Sequence, residues 1–90
     1  MITIAAASKL FHEHKIQFVR FCAPLEIPAT NWHIFLRHTD QSLSGFIKSP
    51  NPGENELQFE TAGEAINFCL ALTGHERYQS FTVDFTVNGQ

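Results

Sequence analysis

Two histidines flank a glutamate at His12-Glu13-His14, inside the stretch KLFHEHKIQFVRF. Histidines hold a metal together when their rings share a side. On a helix that takes a spacing of four. Two apart on a helix, the rings point about 200° from each other. On a strand the same pair would share a face. The run falls where a helical pattern hands over to a strand pattern, so spacing leaves both geometries open. A histidine in the last turn of a helix has a simpler use, since its cation suits the helix dipole. No CxxC or HxxxH accompanies the pair. The reading is therefore a solvated helix end, with no metal and no cofactor.

The other chemistry-bearing residues are dispersed. His33 and His38 fall on opposite faces of one strand by parity. His75 follows Gly74 in TGHERY, a charged connector shared with Glu76 and Arg77. A nucleophilic serine wants a strained elbow such as GxSxG, and none is present. A reactive cysteine wants an electropositive, polar setting. Cys22 and Cys69 lie instead in the apolar runs FVRFCAPL and INFCLAL, where a free thiol packs as a small hydrophobe. The carboxylates Glu26, Asp40, Glu54, Glu56 and Asp84 are scattered and read as solubilising surface. The glycines stand singly, so no loop is built to cradle a phosphate. This pattern favours a protein that is not an enzyme.

Composition narrows the partners. The chain carries a net charge of −3, with six Lys and Arg of which no two are adjacent. A non-specific grip on nucleic acid relies on clustered cations that displace counterions, so nucleic acid is not the expected partner. No apolar stretch approaches the roughly 18 residues of a membrane span. The start, MITIAAASKLF, has no basic segment before its apolar residues, unlike an export signal. A cytoplasmic protein is expected, folded as a single domain over residues 1–90.

Which elements would position these residues? Thr3 can cap a first helix that sets Ile4, Ala7, Leu10 and Phe11 on one side. KIQFVRFC is rich in β-branched and aromatic residues and reads as a strand. Pro24 and Pro28 make PLEIPATN an extended loop or edge segment. NWHIFLRH is a second strand, with Trp32, Ile34 and Leu36 on one face and His33, Phe35 and Arg37 on the other. TDQS is a turn. LSGFIKS is a third strand, in which Gly45 suggests a bulge or a close approach. PNPGEN is a loop, and ELQFE a short fourth strand. TAGE offers Thr61 as N-cap with Glu64 three residues on, a capping box. It opens a helix over 62–73 that Gly74 ends. SFTVDFTV alternates cleanly, with Phe81, Val83, Phe85 and Val87 inward, and reads as a half-buried antiparallel strand. The fold expected is α+β: an antiparallel sheet of about five strands with two helices on one face, in the order α-β-β-β-β-α-β.

The first three strands are apolar on both sides. Strand one sets Ile16, Phe18 and Cys22 against Val19 and Phe21. Strand two sets Trp32, Ile34 and Leu36 against Phe35, and strand three sets Phe46 against Ile47. A sheet with helices on one face and water on the other should alternate, so the second face calls for a cover. The loop APLEIPATN, a second copy of the chain or another protein would each serve. Aromatic rings beside Arg and His are the usual centre of a protein interface. The candidate partner-binding residues are Arg20, His33, Phe35 and Arg37. The function expected is that of a small stand-alone accessory protein that binds a protein partner and self-associates, as a homo-oligomer. One alternative is a small enzyme or ligand binder with a pocket between sheet and helices. Another is single-stranded nucleic-acid binding, because rings flanked by arginine can stack unpaired bases.

Overall fold

The computed structural model describes residues 1–24 and 31–74, together with the backbone of 82–87. In chain order the elements are α1 (Ile4–His12), β1 (Ile16–Ala23), β2 (His33–His38), a 3-10 turn (Gln41–Leu43), β3 (Gly45–Phe46), α2 (Ala62–Leu72) and β4 (Thr82–Val87).

Both helices begin where side-chain oxygens meet the first free backbone donors. The Thr3 hydroxyl accepts from the N–H of Ala6 at 3.1 Å, and that of Thr61 accepts from the N–H of Glu64 at 3.1 Å. Each satisfies one of the four N–H groups that a helix start leaves unpaired. At its far end α2 stops before Gly74, whose φ of 70° is the left-handed conformation that glycine adopts without strain.

The end of α1 settles the geometry of the HEH run. His14 N–H donates to the carbonyl of Phe11 at 3.1 Å, and Lys15 N–H donates to that of Leu10 at 3.0 Å. Those two bonds, with His14 at φ 56°, form a Schellman cap in which a histidine holds the place usually given to glycine. His12 is the last helical residue, and its ring lies 3.7 Å from the point where a Cβ on Gly74 would sit. The two histidines thus belong to one helix terminus. Among the described residues, no three His, Cys, Asp or Glu side chains gather as a metal would require.

The sheet runs β3-β2-β1-β4. β1, β2 and β3 are antiparallel to their neighbours. The fold class is thus α+β, with two helices and an antiparallel sheet at its centre. Three details differ from the sequence expectation. ELQFE is not a strand; it makes isolated bridges, Lys48 with Glu56 and Trp32 with Phe59. Among the described residues that leaves four strands in place of five, in the order α-β-β-β-α-β. And β4 pairs with β1 in parallel, although its alternation suggested an antiparallel strand. Side chains alternate with a period of two in either orientation, so the pattern carries no information on direction. The inward and outward assignment of the side chains at 81–87 lies outside the described residues.

One face of the sheet is the core. Val19, Ile34, Leu36, Ile47, Ala7 and Ala65 have no exposed surface, and Phe11, Phe21 and Ile16 are 2% exposed. Residues of α1, α2 and this face fall in a single buried cluster, which places both helices on the same side. Ile16 reaches that cluster through an irregularity. Ile16 pairs with His38 while Phe18 pairs with Arg37, so two steps on β1 answer one step on β2. This bulge at Gln17 turns Ile16 to the face of Leu36 and Ile34. Simple parity had put it with Phe18.

The edges are tied down locally. Ile2 bridges Ile47, with Ile2 N–H donating to Phe46 and Lys48 N–H donating to Ile2. Gly45 lies against this N-terminal segment, 3.7 Å from Met1 Cα to its notional Cβ. That is the close approach its position suggested. Phe59 and Phe68, 5.3 Å apart by ring centroid, pin the bridging segment to α2.

Candidate functional site

The second face of the sheet carries what the core does not use. β1 contributes Phe18, Arg20 and Cys22; β2 contributes His33, Phe35 and Arg37; β3 contributes Phe46. The register fixes their neighbours: Phe18 opposes Arg37, Arg20 opposes Phe35, and Cys22 opposes His33. Phe35 in turn opposes Phe46. The four candidate residues read from sequence are therefore brought onto one face by the β1–β2 pairing. On the outer side, Arg20 is in register with Asp84 of β4.

Their rings form a short chain. Phe18 and Phe35 are 6.3 Å apart and tilted. Phe35 and Phe46 meet edge to face at 5.3 Å, and His33 meets Phe46 edge to face at 6.1 Å. Such arrangements suit the quadrupole of the aromatic ring. Both arginines lie over the same ring. The guanidinium carbon of Arg20 is 5.2 Å from the Phe18 centroid, and that of Arg37 is 5.8 Å from it. Each is within reach of a cation–π attraction, and together they concentrate positive charge on an otherwise acidic protein.

The cover expected for this face has to be narrowed. Val19 and Phe21, counted among the surplus apolar residues, are buried by the chain's own core. What is left is Phe18, Phe35 and Phe46, all half-buried. Of the loop expected as a cover, APLEIPATN, residues 25–30 lie outside the described residues. Two polar atoms on the face are buried with no hydrogen-bond partner among the described residues: His33 Nδ1 and Arg37 Nε. A buried donor or acceptor left unmatched costs about 1–3 kcal/mol.

Phe18 and Phe46 were absent from the candidate set. Phe18 shares the parity of Arg20, which was enough to include it. Phe46 joins only through the β2–β3 register, which no local pattern encodes.

Elsewhere the titratable groups serve the fold. His38 is buried, and its Nδ1 accepts from the N–H of Asp40 at 2.8 Å, which leaves the ring proton on Nε2. Its own N–H donates to Ser44 Oγ at 2.9 Å. The carboxyl of Asp40 is held below its ordinary value by the Ser42 hydroxyl and then the Ser42 N–H. That of Glu54 is lowered by Ser49 and then Asn51, which organise the SPNPGEN loop. Cys22 and Cys69 are buried thiols outside any disulfide, and burial pushes the Cys69 thiol up to about 11. That is the reverse of an activated nucleophile. A cleft of about 360 Å³ lies between the N-terminal segment, α1 and the turn after β2, with Leu10, Glu13, His38 and Leu43 in its lining. Of its polar lining, His38 Nδ1 is already bonded, and Thr3 caps α1. No helix among the described residues is long and apolar enough to cross a membrane.

Comparison with protein-family models, with curated proteins and with solved structures finds no match. The functional reading rests on the geometry of the sheet face.

Proposed function

We propose that this chain is a small accessory protein that binds another protein through the half-buried aromatic–arginine face of its sheet. The observation that carries the reading is the pair of unmatched buried polar atoms, His33 Nδ1 and Arg37 Nε, set among three half-buried phenylalanines. An interface centre needs apolar rings to desolvate and polar groups to fix orientation, and this face holds both. The partner is a different protein. Self-association through the same face would offer Arg37 a second guanidinium in place of an acceptor, and a guanidinium has donors only.

Sedimentation velocity into the high micromolar range tests the second point, and a monomer is expected. The face itself is tested by selecting binders from a library of random 12-residue peptides displayed on phage. Most selected peptides should lose at least tenfold in affinity for Phe35→Ser. Peptides that bind that variant as tightly as the wild type would remove the face from consideration. A concentration-dependent dimer abolished by Arg37→Glu would replace the foreign partner with a second copy.

A further inference from the structure

The chemistry of the partner is legible on the same face, and its identification rests on the docking function proposed there. We infer that the partner presents a carboxylate to Arg37, next to an apolar side chain that lies on Phe35 and Phe46. A guanidinium has donors and no acceptor, so whatever completes Arg37 must accept. Arg37 makes no hydrogen bond or ion pair with the described residues, and its Nε is buried without a partner. His33 Nδ1, at the other end of the ring chain, is in the same condition.

The field on the face points the same way. Two guanidiniums share the Phe18 ring, and the acid in register with this face is Asp84, beside Arg20 and not Arg37. The remaining acids of the described segments belong to other elements. Glu13 caps α1, Asp40 caps the turn after β2, and Glu54 closes its own loop. Glu56 bridges Lys48, Glu60 directly precedes the N-cap of α2, and Glu64 lies in the first turn of that helix. A carboxylate matches a guanidinium with two parallel hydrogen bonds. The edge-to-face pair of Phe35 and Phe46 offers the apolar floor beside it. A phosphate would also accept. A nucleic-acid strand, however, gains affinity by releasing many counterions, and this face supplies two arginines on a body of net charge −3. Attraction is therefore local, and one or two carboxylates meet it better than a polyanion.

The peptides selected on the full chain supply the test. Those that depend on Phe35 should be enriched in Asp or Glu next to Phe, Leu, Ile or Trp. Synthetic versions with the acids changed to Asn or Gln should bind at least tenfold more weakly. Arg37→Gln should erase that difference between acid and amide, while Phe35→Ser should weaken both forms alike. In a ¹H–¹⁵N spectrum the Arg37 Nε–H signal should move with the acidic peptide and stay still with the amide one. Neutral or basic peptides that still require Phe35 would overturn the inference and leave the docking face standing. A 12-nucleotide oligouridylate that shifts the face where the acidic peptides do not would replace it with nucleic-acid binding. A library that yields no Phe35-dependent peptide would overturn inference and face together.

Discussion

Arg37 lies directly across the β1–β2 pair from Phe18, its guanidinium carbon 5.8 Å from the ring centroid, while its Nε is buried without an acceptor among the described residues. One half of this relationship is favourable and the other is not. The cation–π contact contributes about 0.5–1 kcal/mol at a partly exposed site. The unmatched charged donor costs as much or more. Replacing Arg37 with methionine keeps an apolar stem over the ring and removes the unmet donor. Arg37→Met should leave stability unchanged or raise it by about 1 kcal/mol, read as the urea midpoint. It should also lower the binding of acidic peptides to the level of their amide forms. A loss of more than about 1 kcal/mol would mean that Arg37 is there to hold the sheet.

The bulge at Gln17 makes a second prediction, because it reverses the faces of Ile16 and Phe18 relative to a regular strand. Ile16 is 2% exposed and inside the core cluster; Phe18 is half-buried under two arginines. Ile16→Ala should cost about 2–5 kcal/mol, the range for opening a cavity in a core. Phe18→Ala removes the larger side chain, yet should cost less, about 1–2 kcal/mol, since its ring is already partly in water. Urea unfolding of the two variants decides it. If Phe18→Ala proves the more damaging, the register irregularity is not where the pairing puts it.

That bulge shows where the sequence was legible and where it was not. Capping residues were readable because their chemistry is local: Thr3 and Thr61 each need only the backbone three residues on. The faces of β2 were readable because six residues alternate without a break, and Ile34 and Leu36 are indeed buried. The grouping of Arg20 with His33, Phe35 and Arg37 followed from that parity once β1 paired with β2. Three features depend on partners far along the chain and leave no local trace. One is the extra residue at Gln17. Another is the parallel direction of β4. The third is the reduction of ELQFE to bridges, since Leu57 and Phe59 still pack against the core as a strand's side chains would. The end of α1 was readable at His12–His14 from the change of pattern, although its usual signal, a glycine, is replaced there by a histidine.

His14 gives the third prediction. Its φ of 56° is a conformation that residues with a Cβ enter at a cost of about 1 kcal/mol or more. Glycine enters it freely, although it also makes the unfolded chain more flexible. His14→Gly should therefore stabilise the protein by about 0.5–1 kcal/mol. His14→Val, whose branched Cβ crowds this conformation further, should destabilise it. Thermal unfolding of the pair checks the sign. A destabilised His14→Gly would mean that the imidazole makes a contact worth more than the strain it carries.

The thiols give the last. A thiolate is the reacting species, and an ordinary cysteine, with a pKa near 8.5, is about one-quarter ionised at pH 8. Cys69, pushed up to about 11 by burial, is ionised far less, by about a hundredfold, even before access to a reagent is considered. Cys22 is 2% exposed, and its thiol lies 3.8 Å from the Arg20 carbonyl, to which it donates. Native protein should therefore react slowly with a thiol reagent at pH 8, and both cysteines should react at once in urea. The sign of the pH dependence follows from the same shift. The unfolded chain releases the Cys69 proton at lower pH than the folded one does, so stability should decline as pH rises above about 8.5. Native labelling should then speed up for two reasons, because the thiolate becomes commoner in the open state and the open state becomes more populated. Ile16→Ala, which destabilises the core without touching either cysteine's sequence neighbours, should accelerate labelling at fixed pH in proportion to its loss of stability. One thiol that reacts stoichiometrically within seconds in the unperturbed protein would place Cys22 or Cys69 at the surface, and with it the helix or the strand that carries it.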